Sequence, residues 1–234
     1  MSAAARWERE VNELMGASAP VENKTWVFTE GTRLSRHLLG TNVIRCEIDF
    51  LDLGIGASNH VIMRLIFQHP KLHATAHNPA GTTGLRLSLD VDPVDSYEDY
   101  EPGNFNVQTI RYTGPHLKAA FTMPLALTGN GIKTVGEFLD IVSGQHMLPC
   151  DFNWSNDSAV GCRDFNSQLI WKCMDAGILV RNPGISVPFQ RHYSNPRGGL
   201  PPILAIVPAP VKPALFRDPR FVSSVIPGMP LDPL

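Results

Sequence analysis

The 234-residue chain has no apolar run near the roughly 20 residues that span a bilayer, and its N-terminus meets Arg6, Glu8, Arg9 and Glu10 before a secretory leader core could form. That pattern predicts no membrane span and a cytoplasmic location. No C-x-x-C spacing occurs, and the four cysteines, Cys46, Cys150, Cys162 and Cys173, are too few to read as a disulfide scaffold, so free thiols are expected. There is no basic run: net charge is −2 and the 20 Lys and Arg are dispersed, which argues against nucleic acid as a partner. His69, His73 and His77 have four-residue spacing, but Pro70 and Asn78-Pro79 oppose a helix there and no cysteine or carboxylate is close, so no metal is expected. Two further sites fail on spacing. The six carboxylates from Asp90 to Glu101 lack the glycine and closing glutamate of a calcium loop, and read as a solvated loop. Thr128 to Thr134 has the glycines and lysine of a phosphate cradle at the wrong intervals, and reads as a turn and helix cap. No cofactor is expected.

What is present is an α+β pattern. Residues 3 to 15 place Trp7, Val11, Leu14 and Met15 at helical spacing, an amphipathic helix that would pack on a sheet edge. Asn42 to Phe50 alternates, with Ile44, Cys46, Ile48 and Phe50 on one face. His60 to Phe67 is apolar on both faces, as in a central strand, with His60 sharing the face of Ile62, Arg64 and Ile66. Leu85 to Val91 alternates again; Asn106 to Thr113 and Leu117 to Leu127 complete an antiparallel meander. Helices follow, packed on one face. Thr134-Val-Gly-Glu137 is a capping box whose helix stops at Gly144. A second helix begins between Ser158 and Cys162, aligns Cys162, Phe165, Leu169, Cys173 and Ala176, and ends at Gly177. Residues 1–182 form one domain. Beyond Asn182, where 12 of the 20 prolines fall, the chain reads as an extended arm wrapping its own domain or a second copy in a homodimer.

Cys162 opens its helix, where unpaired backbone N–H groups and the helix dipole favour a thiolate, and Arg163 adds charge. A cysteine nucleophile needs a histidine and a polar group to orient it. His60 is the candidate base, with His73, His77 or Asn59 as orienter. Asn59, Arg64 and Arg163, with the aromatics Trp154 and Phe165, are the candidates for substrate contact. The alternative is that Cys162 is a small buried hydrophobe and His60 a hydrogen-bonded strand end, since free cysteines are among the most buried residues.

Asn59-His60 on a strand, Leu-Arg-Leu-x-Leu-Asp at Leu85 to Asp90, Thr-Val-Gly-Glu-Phe-Leu-Asp at Thr134 to Asp140 and Gly-Cys-Arg at Gly161 to Arg163 resemble a family of uncharacterised fungal proteins. An Asn-His-Trp strand and a Gly-Cys-Arg-aromatic helix start recur in that family; here Val61 and Asp164 stand at the two aromatic positions. The resemblance spans about residues 42 to 180 and implies a fungal origin without an activity. More distantly, a strand histidine followed by a helix-starting cysteine is similar to the circularly permuted papain-like enzymes of the lecithin:retinol acyltransferase and NlpC/P60 types. That likeness implies Cys162 as nucleophile, His60 as base and His73 near the second histidine.

Three functions are compatible with these residues: acyl transfer or hydrolysis by Cys162 and His60 on an apolar ester, thioester or amide; a cofactor-free cyclase or isomerase of fungal secondary metabolism acting on a polyketide or terpenoid in an aromatic pocket; and a non-catalytic binding or assembly module. An apolar small molecule is the expected partner in the first two.

Overall fold

In the computed structural model the described residues are 25–29, 32, 34, 36–52, 59–69, 81–91, 100–155, 158–195 and 204–232. The N-terminal helix expected over residues 3 to 15, and His73 and His77, lie outside them. The architecture is α+β, an antiparallel sheet with a few helices. Among the described residues the strands are β1 (Thr25–Val27), β2 (Asn42–Leu51), β3 (His60–Phe67), β4 (Gly84–Val91), β5 (Tyr100–Ile110), β6 (Ala119–Leu125), β7 (Lys133–Thr134), β8 (Cys150–Ser155), β9 (Ser158–Val160), β10 (Arg191–Ser194), β11 (Ala205–Pro208) and β12 (Leu215–Phe216). The helices are α1 (Arg36–Leu39), α2 (Val135–Gly144), α3 (Cys162–Asp175) and α4 (Ser186–Phe189).

The main sheet runs β12-β8-β5-β4-β3-β2-β6, with β10 and β11 forming a separate pair. β2 to β5 are a meander, as the alternation predicts. The rest is not: β6 crosses back to lie outside β2, and β8, which sequence pattern did not reveal, adds outside β5. The face carrying Cys46, Ile48, Val61, Met63, Leu65, Leu87, Leu89 and Phe105 packs into the core with α2 and α3. A register shift between Val43 and Arg45 reverses the expected sidedness at the start of β2, so Val43 is buried and Ile44 is exposed.

Both helices have the expected ends. Thr134 accepts from the Glu137 N–H while the Glu137 carboxylate accepts from the Thr134 N–H. α3 closes in a Schellman arrangement: Gly177 has φ 70°, its N–H bonds Met174 O, and the Ile178 N–H bonds Cys173 O. α3 is not amphipathic in use, however, because Cys162 through Met174 are all buried. The C-terminal segment covers its polar side. Asp164 accepts from the Ala214 N–H, Gln168 pairs with the Ser224 backbone in both directions, and Lys172 donates to Val222 O. The segment after Asn182 thus wraps its own chain, holding short elements (α4, β10 to β12) and contributing Ile185, Phe189, Tyr193, Val211, Ile226 and Met229 to the core. Among the described residues no helix is long and apolar enough to cross a membrane.

Candidate active site

Antiparallel pairing sets the site. β3 and β4 are in register at Ile62 and Ser88, so two residues further on His60, the first residue of β3, stands across from Asp90 near the end of β4. His60 Nε2 lies 2.9 Å from Asp90 Oδ1, with the carboxylate off the ring N–H axis. The other carboxylate oxygen, Asp90 Oδ2, accepts from Ser88 Oγ at 2.5 Å and from Asn106 Nδ2 at 2.8 Å. β3 thereby supplies the imidazole, while β4 and β5 supply its acid and that acid's supports.

Cys162 arrives from the helix. Gly161, the residue before it, has φ 136°, a conformation closed to L side chains, and a Cβ there would lie 3.2 Å from Ala214 Cα. Gly161 has no side chain to cap the helix, and the first intrahelical bond runs from the Phe165 N–H to Gly161 O. Asn166, one turn on, donates from Nδ2 to Cys162 O at 2.8 Å and to Val61 O at 3.1 Å. That amide fastens the start of α3 to the start of β3.

Cys162 and His60 line the same cavity, and each shifts the ionisation of the other. Burial opposes the thiolate, but the neighbouring His60 imidazole, the Val61 N–H and the Arg163 charge together hold its pKa below the ordinary thiol value. Burial also opposes a charged His60; the adjacent Asp90 carboxylate and Cys162 sulfur outweigh it and raise the imidazole pKa. Asp90, despite its burial, is held below the usual carboxylate range by His60, Asn106 and Ser88. All three shifts favour a thiolate, an imidazolium and a carboxylate side by side. Cys46, Cys150 and Cys173 differ, since burial raises each of their thiols.

These groups open onto a cavity of about 280 Å³, lined by Asn59, His60, Asp90, Val91, Phe152, Val160, Gly161, Cys162, Arg163, Pro210 and Lys212. Its volume is near the small end of ligand sites. No group of three or more His, Cys, Asp or Glu fit to hold a metal ion is found among the described residues.

Several expected contacts sit differently. Asn59 lines the cavity, but its amide is committed to the backbone: it donates to Leu51 O and Tyr193 O and accepts from the Tyr193 N–H, tying β3 to β10. Arg64 is fully buried away from the cavity and pairs with Asp49 and Glu47, so it braces β2 against β3. Phe165 is core, 5.5 Å from the Phe105 ring and stacked on Phe216. Trp154 pairs with Ala159 in the strand ladder, and its side chain is outside the described residues. Arg163 does line the cavity, with its guanidinium bonded to the carbonyls of Arg191, Ala209 and Pro210.

The acidic composition of Asp90 to Glu101 predicts a solvated loop, and at Asp90 the structure differs. Asp90 is instead the acid at His60, and Glu101 at the other end of that stretch is also buried. Lys212 and Pro210 come from the C-terminal segment, where sequence reasoning proposed no site residue. No protein-family model, no curated protein and no solved structure matches this chain.

Proposed function

We propose that the protein is a thiol-dependent acyltransferase or hydrolase of small esters, thioesters or amides, with Cys162 as nucleophile, His60 as acid and base, and Asp90 as the group that orients and charges His60. One observation carries the reading. Of the chain's four cysteines, Cys162 is the one that lines a cavity together with an imidazole backed by a carboxylate. A core cysteine has no use for that arrangement.

In this reading the Cys162 thiolate attacks the substrate carbonyl and forms the C–S bond. The first-turn N–H groups of α3 receive the oxyanion. Collapse breaks the bond to the leaving group, which departs with the His60 proton and leaves a thioester on Cys162 and a neutral imidazole. His60 then takes a proton from water or an acceptor nucleophile as it attacks the thioester, and expulsion of the thiolate restores the ion pair. Asp90 stays ionised throughout. Val91, Phe152, Val160 and Pro210 give the acyl group an apolar wall. The order of a strand histidine, an acid on the next strand and a helix-starting cysteine is similar to that of the permuted papain-like enzymes, with Asp90 in place of the expected His73.

The test is alkylation of the native protein by iodoacetamide across pH, each cysteine quantified by peptide mass. Cys162 alone is expected to react, with a midpoint below the free-thiol value of about 8.5. A Cys162 that stays unreactive until the protein unfolds would end this reading.

A further inference from the structure

The proposed nucleophile and base come from different elements, Cys162 from the start of α3 and His60 from the start of β3. Their attraction falls with distance, so the pair lasts only while helix and strand keep their spacing. β3 pairs with β4 from Ile62 onward, and Val61, next to His60, lies where that ladder has stopped. Its carbonyl turns to α3 and accepts from Asn166 Nδ2 at 3.1 Å. The same nitrogen donates to Cys162 O at 2.8 Å. A side-chain amide carries two N–H donors, and here one goes to the nucleophile's own carbonyl and the other to the carbonyl next to the base.

Asn166 is 1 % exposed, so neither bond competes with water. Asparagine is a poor residue for a buried helix interior, both on propensity and because its amide must be desolvated, and its neighbours Phe165, Leu169 and Ile170 are apolar core. The other buried polar side chains of α3 are turned elsewhere. Arg163, Asp164, Gln168 and Lys172 bond the C-terminal segment, and Ser167 bonds back to Asp164 O within the helix. Asn166 bonds the strand that carries the base. On the far side of His60, the buried Asn59 amide bonds Leu51 O and the Tyr193 backbone. His60 is thus set between two fixed points of β3, and the one at Val61 is shared with Cys162.

We propose that Asn166 is a positioning residue for the thiol chemistry: by holding the carbonyls of Cys162 and Val61 on one amide, it fixes the nucleophile against the imidazole. The inference rests on Cys162 as nucleophile and His60 as its partner, and adds the residue that sets their separation. Asn166 is not among the residues that line the cavity, so it acts through the pair and not on the substrate. The Val61 N–H is one of the groups that hold the Cys162 thiol below its ordinary pKa, and a β3 that drifts from α3 takes that N–H and the imidazole away together.

Two variants separate this role from packing. Asn166→Ser can still bond Cys162 O one turn back in the helix but is too short to reach Val61 O as well. Asn166→Leu keeps the approximate size and removes both bonds. The native proteins are alkylated with iodoacetamide across pH, and the His60 ring is titrated by NMR. In both variants the Cys162 midpoint is expected to rise by about one pH unit and the His60 midpoint to fall by a similar amount, because each loses part of the opposite charge beside it. Cys173→Ser, three turns along the same helix, is the control: it should lower unfolding stability and leave both midpoints in place. Should Asn166→Leu fail to fold, Asn166→Ser decides alone. Unmoved midpoints in a folded Asn166 variant of lowered stability make the residue a packing element and overturn the proposal. The underlying reading fails differently: a Cys162 that stays unlabelled in the unmodified native protein removes the nucleophile and this inference with it, whereas a Cys162 that labels at the same low pH in every protein removes the role of Asn166 alone.

Discussion

Cys162 and Cys173 lie on one helix, α3, three turns apart and both buried, yet their thiols are driven in opposite directions. At Cys173 burial acts alone and raises the pKa. At Cys162 the same penalty is present and is the largest single influence, but His60, the Val61 N–H and Arg163 together exceed it. Burial by itself makes a thiol inert. It makes a reactive one only where another element delivers an opposite charge into the same dry space, since low polarity also strengthens that attraction. The end of the helix matters as well: the first-turn N–H groups are at Cys162, whereas Cys173 receives the Ile178 N–H on its carbonyl in the closing turn.

The sharpest way to break the comparison is to exchange the sulfur at each end. Cys162→Ser is expected to lower thioester turnover by about a thousandfold or more, as loss of a nucleophile does. Cys173→Ser should keep turnover and lower unfolding stability by about 1–3 kcal/mol, because it puts a hydroxyl into the core; stopped assays and urea unfolding of both variants measure this. Next in size is Asp90→Asn, which leaves the shape but removes the charge behind His60. Turnover should fall about 10- to 100-fold, and the alkaline limb of the pH–rate profile should move to lower pH, because the imidazolium loses the carboxylate that raises its pKa.

His60→Gln sharpens the comparison by making Cys162 resemble Cys173. The alkylation midpoint of Cys162 should rise to or above the free-thiol value of about 8.5, since burial then acts with little opposition, while Cys173 stays unlabelled. The smallest effect is on stability. Asp164, two residues after Cys162, is pushed up to about 6 by burial, against the bonds it accepts from Ala214 and Gln168. An unfolded Asp titrates near 3.9, so between about 4 and about 6 the folded state holds a proton that the unfolded state has released. Stability contributed by this group should fall as pH rises through that window. Asp164→Asn keeps an acceptor for the Ala214 N–H and should flatten the slope in urea-unfolding midpoints across the window.

Much of the frame was legible because its signals are local. Alternation marked β2 and β4, a run apolar on both faces marked β3, the Thr134 and Glu137 box marked the start of α2, and Gly177 marked the end of α3. β8 was not legible: it follows α2 after a short turn and finds its partner, β5, about fifty residues back in the chain. Within the candidate site, Cys162 and His60 could each be singled out from sequence because each opens a clear element. Asp90 was hidden by its company of five other carboxylates, although an antiparallel neighbour of β3 has to bring the end of β4 beside His60. The pattern held that signal, and the acidic composition of the stretch masked it. Arg64 misled in the other direction, since a charged residue in a central strand reads as functional until its partners on β2, Asp49 and Glu47, are seen.

Sequence by itself determined the elements, their ends, and the two residues whose chemistry makes a site worth seeking, because caps, alternation and residue type act over a few residues of chain. Only the tertiary structure decided which acid backs His60, that the polar side of α3 is sealed by its own C-terminal segment, and that Lys212 lines the cavity. Those outcomes depend on strand register and on a segment some fifty residues downstream folding back over the helix, and short-range pattern carries no record of either.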